Sequence, residues 1–163
     1  MITVHFDGSC NPNPHGPIGW GSVIKNNGEI IAQLSDARGA SIENSNNVAE
    51  YNALLAAMDY LIKNSLNREK ITFYGDSTLV INQMSGRWKK LPRSGMYAKI
   101  GIKTISKKPL FPNANYVWIP REENTEADAL STMLVEQPLA ETEPYSKNKL
   151  LSKWCHLRLQ RED

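Results

Sequence analysis

With 163 residues, 40% apolar and 22% charged, the chain has the length and composition of one globular domain with a core of its own. Its formal charge of +2 excludes bulk charge as a source of nucleic-acid affinity, which must come from local patches. Cys10 and Cys155 are too few for a disulfide framework, no stretch is long and apolar enough to cross a membrane, and no leader precedes the first apolar run, so a cytoplasmic location without membrane association is expected.

In chain order, Ile2, Val4 and Phe6 alternate as in a strand, which then delivers Asp7 into a turn rich in Gly, Asn and Pro. Gly19 to Lys25 reads as a second strand, Asn26-Asn-Gly28 as a hairpin signal and Glu29 to Arg38 as a third strand. From Asn46 the period changes: Val48, Tyr51, Leu55, Met58 and Ile62, broadened by Leu54 and Leu61, predict a helix ending near Asn64. Lys70 to Asp76 is a fourth strand, Ser77 to Ser85 a short helix, and Gly86 to Arg93 a basic connection carrying Trp88. Met96 to Lys107 reads as a helix, Asn115 to Ile119 as a fifth strand, Pro120 to Asn124 as a loop, and Thr125 to about Val135 as a final helix with Asn124 as N-cap. Three antiparallel strands followed by two parallel ones make an α/β fold, a five-stranded mixed sheet flanked by helices, with the first strand central if the later strands add beside it.

Four carboxylates stand at the ends of these elements, and each has a structural reading. Asp7 is read equally well as a turn residue, Glu50 as the acid of a capping box with Asn47 as N-cap, Asp76 as an N-cap, and Asp128 as an acid favoured by a helix dipole. If the first and fourth strands are parallel neighbours, however, Asp7 and Asp76 emerge side by side, and face-packed helices bring Glu50 and Asp128 toward them. Four converging acids repel one another and raise each other's pKa values unless cations neutralise them. Oxygen ligands of this kind suit Mg²⁺ or Mn²⁺, and two such ions roughly 3.5–4 Å apart clamp the attacking and leaving oxygens of a phosphoryl displacement.

Asp7-Gly-Ser-Cys-Asn-Pro-Asn-Pro14, Asn46-Asn-Val-Ala-Glu50-Tyr51, Tyr74-Gly-Asp76-Ser77 and Pro120-Arg-Glu-Glu-Asn124-Thr-Glu-Ala-Asp128-Ala-Leu130 closely resemble, in order and spacing, the four motifs of type 1 ribonuclease H. The resemblance covers about residues 1–135. It implies a ribonuclease H-like fold, with residues 1–135 as catalytic domain and 136–163 as a C-terminal extension. It also implies endonucleolytic hydrolysis of the RNA strand of RNA/DNA hybrids, leaving 5′-phosphate and 3′-hydroxyl ends. Asp7, Glu50, Asp76 and Asp128 match the metal-binding acids: Asp7 would bridge two ions, Glu50 and Asp76 would complete the one nearer the leaving group, and Asp128 the one carrying the attacking water. Glu122, Glu123 and Glu126 compete for that last role, but the spacing from Asn124 selects Asp128, and Glu126 points away from it along the helix.

For substrate, Asn13, Asn46 and Asn47 match positions that contact the hybrid in the family, where side-chain amides read sugar edges and the 2′-hydroxyl tells RNA from DNA. Their alternatives are turn former for Asn13 and helix cap for Asn46 or Asn47. Trp88, Lys89 and Lys90, with Arg87 and Arg93, suit a track for the DNA strand; the alternative places Trp88 in the core. The family's longer loop with its histidine is missing between Trp118 and Asp128, as in a short-loop subgroup. Arg121 is the nearest group for the scissile phosphate, unless it pairs with Glu122 or Glu123.

Beyond a linker over residues 138–144, Leu150, Leu151, Trp154 and Leu157 lie among Lys and Arg in a tail that docks on its own domain, mediates a dimer of an otherwise monomeric protein, or extends the nucleic-acid surface. The rival functions are a different nuclease on the same fold, whose exonucleases show Asp-x-Glu where this chain has Asp7-Gly-Ser9, and a binding module with weak or lost catalysis. A detached ribonuclease H domain of a reverse transcriptase would share the chemistry.

Overall fold

The computed structural model describes residues 1–134; the expected linker, tail and tail-mediated dimer lie outside the described residues. Five strands form one sheet in the order β3-β2-β1-β4-β5, comprising β1 (Ile2–Cys10), β2 (Ile18–Asn26), β3 (Glu29–Arg38), β4 (Ile71–Gly75) and β5 (Ala114–Trp118). β1 pairs antiparallel with β2, β2 antiparallel with β3, and β1–β4 and β4–β5 are parallel. The mixed sheet with β1 at its centre is the expected one. Asn27 and Gly28 take positive φ values of 50° and 85° in the β2–β3 hairpin, the conformation a two-residue turn requires and that Asn-Gly supplies cheaply.

One expectation needs correction. Asp7 does not end its strand. β1 stays paired with β2 through Cys10↔Ile18, while its pairing with β4 stops at His5↔Tyr74. The sheet therefore splits just before Asp7. Backbone pairing along β2 decides where β1 ends, and the apolar alternation that stops at Phe6 does not report it.

Helix α1 (Asn46–Lys63) lies across β1 and β2, with α2 (Thr78–Met84) and α3 (Gly95–Ile105) beside it; α4 (Thr125–Met133) covers the opposite face. Strand parity fixes these sides. Gly8 and Ser22 meet α1, Ser22 Oγ donating to the Ala53 carbonyl, whereas Ser9 Oγ donates to the Ser131 carbonyl of α4 and Gly21 abuts Leu130. Because α1 sits between the sheet and α3, it is buried beyond the predicted stripe, Ala49, Ala53 and Ala57 being fully enclosed along with Tyr51, Leu54, Met58 and Leu61. Phe73 of β4 completes this core, stacked on Tyr116 at 5.2 Å between ring centroids. A 3-10 turn (Arg121–Glu123) occupies the expected loop before α4.

Gly8 sets the approach of α1 to β1. A Cβ there would stand 2.3 Å from the Ala49 carbonyl carbon and the Glu50 nitrogen, both backbone atoms that cannot rotate away. Gly8→Ala is expected to destabilise the fold by about 3 kcal/mol, the upper end of overpacking costs, as measured by urea denaturation.

Candidate functional site

The carboxylates sit where β1 and β4 part. Asp7 comes from the continuing strand, Asp76 follows the last residue of β4, and Glu50 lies in α1 just past its first turn. One carboxylate oxygen from each of Asp7, Glu50 and Asp76 lies within 4.8 Å of the others. Asp128, in the first turn of α4, acts electrostatically on Asp7 and Asp76 and stands outside that trio, with its Oδ1 taking a 3.3 Å hydrogen bond from Arg121 Nη2.

Three of the structural alternatives for these acids do not describe the structure. Ser45, not Asn47, caps α1, its Oγ accepting from the Val48 amide at 3.3 Å. Ser77, not Asp76, caps α2, accepting from the Val80 amide at 3.2 Å. A serine close by in the chain thus does the capping and leaves the acid free. Asp7 lies inside the strand and is not a turn residue, though one of its oxygens accepts from the neighbouring Gly8 amide. Glu126 is committed to an ion pair with Lys25 at 2.8 Å, away from the cluster.

The cluster is buried. Asp7 is 5% exposed and Glu50 6%, and Glu50 Oε2 is enclosed without a hydrogen-bond partner. Burial, followed by the charge of Asp76, raises the Asp7 carboxyl from 3.8 to about 7. Burial and the neighbouring Asp7 hold Glu50 well above the carboxylate range. Burial also raises Asp76, with Arg121 opposing and Asp128 assisting. A buried carboxylate oxygen facing other carboxylates and lacking a donor is a site for a cation, and an all-oxygen donor set fits a hard divalent ion.

Of the residues expected to meet nucleic acid, Asn13 and Asn46 are brought together, Asn13 Oδ1 accepting from the Asn46 amide at 3.1 Å. That bond adds a second acceptor at the start of α1, so Asn13 also orders the turn. The Asn46 side chain is exposed and that of Asn47 half-buried. Trp88, 47% exposed, is not a core residue, and Lys89 and Lys90 are exposed beside it on the connection after α2. Arg121 pairs with Asp128 rather than with Glu122 or Glu123, because the 3-10 turn swings it back over α4. Being largely exposed, this pair contributes little to stability.

Two interactions had no sequence signal. Trp118 Nε1 donates to the Asp76 carbonyl at 3.0 Å, fixing the backbone that carries that acid, and Trp118 also lines a cavity of about 290 Å³ with Thr78, Ile81, Asn82 and Arg87. Asn124 occupies the N-cap position of α4, but its side chain makes no cap bond; Nδ2 instead donates to the Phe6 carbonyl at 2.9 Å, across 118 residues. It thereby pins the start of α4 to the residue before Asp7. A capping signature cannot reveal a partner so distant in the chain.

A family described as reverse transcriptase-like matches residues 5–134. A ribonuclease H of Hyphomonas neptunium (strain ATCC 15444) is 35% identical over 124 residues, 76% of this chain and 71% of that protein. The chain belongs to the ribonuclease H family. A solved structure of LC11-RNase H1 in complex with RNA/DNA hybrid superposes with a TM-score of 0.69 at 33% identity, covering 82% of this chain and 95% of that one. A bifunctional protein of Mycobacterium tuberculosis (strain ATCC 25618 / H37Rv) is 36% identical over 133 residues, 80% of this chain, yet this ribonuclease H family member matches only 34% of that relative's length.

The electrostatics of the trio has a measurable consequence. An acid whose pKa is higher folded than unfolded holds its proton more tightly in the native state, so ionisation removes stability as pH rises through the interval between the two values. For Asp7 that interval runs from 3.8 to about 7. The metal-free protein is expected to lose thermal stability across it and to level off above. Asp7→Asn is expected to flatten the profile and to stabilise the metal-free protein at pH 8 by about 2 kcal/mol, measured by denaturation at pH 5, 6.5 and 8.

Proposed function

We propose that this protein is a metal-dependent endoribonuclease that hydrolyses the RNA strand of RNA/DNA hybrids, leaving 5′-phosphate and 3′-hydroxyl ends. The observation that carries the proposal is the trio of buried Asp7 and Glu50 with half-buried Asp76, with its unpartnered Glu50 oxygen and with Asp128 beside it. The family and the hybrid bound to LC11-RNase H1 support the choice of substrate.

Asp7, Glu50 and Asp76 are assigned to one divalent ion, and Asp7 with Asp128 to a second; Mg²⁺ or Mn²⁺ fits this donor set. Bound there, such ions supply positive charge that lowers the pKa of water and offsets the charge developing on the phosphate and the leaving oxygen. The reaction is attack of water on phosphorus with cleavage of the bond to the 3′ oxygen, which leaves as a hydroxyl. The protein supplies rigid placement: β1 fixes Asp7, the close approach at Gly8 brings Glu50 to it, Trp118 holds the Asp76 backbone, and Asn124 sets the entry of α4. Burial keeps competing water from the acids and makes their electrostatics strong. Arg121 leaves Asp128 for the substrate phosphate, a small cost because the pair is exposed. Asn13, Asn46 and Asn47 face the sugar edges of the hybrid, and Trp88, Lys89 and Lys90 its DNA strand.

RNA/DNA, RNA/RNA and DNA/DNA duplexes incubated with Mg²⁺, Mn²⁺ or EDTA test this directly. Cleavage of RNA in the hybrid is expected, abolished by EDTA and reduced at least about a thousandfold by Asp7→Asn. Cleavage of the DNA strand instead would overturn the substrate assignment. Independently of activity, Mn²⁺ is expected to raise the melting temperature of the wild type at pH 8 and to leave that of Asp7→Asn unmoved.

A further inference from the structure

The connection after α2 turns its cations and Trp88 outward and its backbone inward, with Leu91 alone of its larger apolar side chains packed toward Gly101 of α3. Arg87, Trp88, Lys89, Lys90 and Arg93 are all exposed, and none of these cations forms an ion pair among the described residues. Such a segment, short and self-repelling, has no internal reason to hold one shape. Its order comes from beneath. The Trp88 amide donates to the Asn82 carbonyl at 3.1 Å and the Gly86 amide to the Gln83 carbonyl at 3.2 Å, which fixes only the first turn. The far end is held by a side chain: Gln83 Nε2 donates to the Lys90 carbonyl at 2.9 Å.

Gln83 is itself 4% exposed and fully engaged. Its Oε1 accepts from the hydroxyl of Tyr51, and its Nε2 also reaches the Tyr97 hydroxyl at 2.8 Å. Tyr51 is the residue after Glu50 and is completely buried in α1; Tyr97 belongs to α3. One amide thus joins the helix that bears Glu50 to the loop that bears Trp88, Lys89 and Lys90. A buried primary amide with both donors and its acceptor satisfied has a single orientation, so the loop inherits the register of α1. An apolar side chain would fill the same space and leave the Lys90 carbonyl and two hydroxyls without partners.

We propose that Gln83 is a positioning residue for hybrid binding: through its bond to the Lys90 carbonyl it sets the basic loop at a fixed distance from the carboxylate cluster, so that the DNA strand gripped by the loop presents the RNA phosphate to the acids. The proposal rests on the hybrid-cleaving reading above. It assigns Gln83 no contact with substrate and no part in the chemical step.

The test uses the full chain, two Gln83 variants and one reference variant. Gln83→Met removes every bond at similar volume; Gln83→Glu still accepts from both tyrosines and, as a carboxylate, has no donor for the Lys90 carbonyl. Tyr97→Phe, which keeps the Gln83–Lys90 bond, serves as reference. Hybrid affinity is measured in Ca²⁺ over a range of salt, and steady-state cleavage in Mg²⁺. Both Gln83 variants are expected to raise Kd and KM about tenfold while kcat at saturating hybrid stays within about twofold. The slope of log Kd against log salt is expected to fall by about 0.9 for each phosphate that the displaced loop no longer neutralises. Tyr97→Phe is expected to match the wild type in slope. If the variants lose melting temperature but keep the wild-type KM and slope, Gln83 is only structural and the proposal fails. If kcat falls and KM does not, the proposal also fails. Should Gln83→Met not fold, Gln83→Glu decides on the same readouts. A wild-type protein that neither binds nor cleaves the hybrid refutes the functional reading itself, whereas a wild type that cleaves, with unaltered variants, refutes this inference alone.

Discussion

The structure depends on holding mutually repelling carboxylates in a place that water barely reaches. Asp7 and Glu50 are each about nineteen-twentieths buried, and their ordinary charge is opposed both by lost hydration and by each other. Such a cluster is destabilising in isolation, and the surrounding core must offset it. The offset is visible in the sheet and in α1, where Phe6, Phe73, Tyr51, Leu54 and Met58 form a continuous apolar layer directly behind the acids. Strain of this kind is expected where a fold keeps electrostatic potential in reserve for a ligand of opposite charge.

The placement of the acids follows a common pattern. Each is carried by an element whose geometry is fixed by a different residue. Ser45 and Ser77 cap the helices next to Glu50 and Asp76, Gly8 admits the α1 backbone to close packing on β1, and Asn124 and Trp118 tie α4 and β5 to the backbone beside Asp7 and Asp76. Capping, close approach and long-range tethering are thereby separated from ligand chemistry, so the carboxylates are not consumed as structural acceptors. Asp128 differs. It is less buried, lies outside the trio and is partnered by Arg121, so its environment can change without disturbing the sheet.

The basic connection follows the same logic at longer range. Its cations are exposed and unpaired among the described residues, yet its backbone is anchored on Gln83, which shares a hydrogen-bonded core with Tyr51 of the Glu50 helix. A surface that must face a charged polymer keeps its side chains free, and rigidity has to come from buried polar groups below it.

The sequence by itself determined the element order and the sheet. The alternation of Ile2, Val4 and Phe6, the Asn27-Gly28 hairpin and the helical stripe from Val48 to Leu61 are local patterns, and local backbone preference with burial is enough to fix them. It also singled out the four acids, through motif order and spacing. What it left open was decided by interactions between residues far apart in the chain. Whether Glu50 and Asp76 are caps or free acids turned on Ser45 and Ser77, and where β1 ends turned on its pairing with β2. Arg121 chose Asp128 over its sequence neighbours because a 3-10 turn reverses its direction. Each choice is between partners of similar intrinsic affinity, and only the tertiary arrangement, which brings one within hydrogen-bond reach and removes the other, settles it.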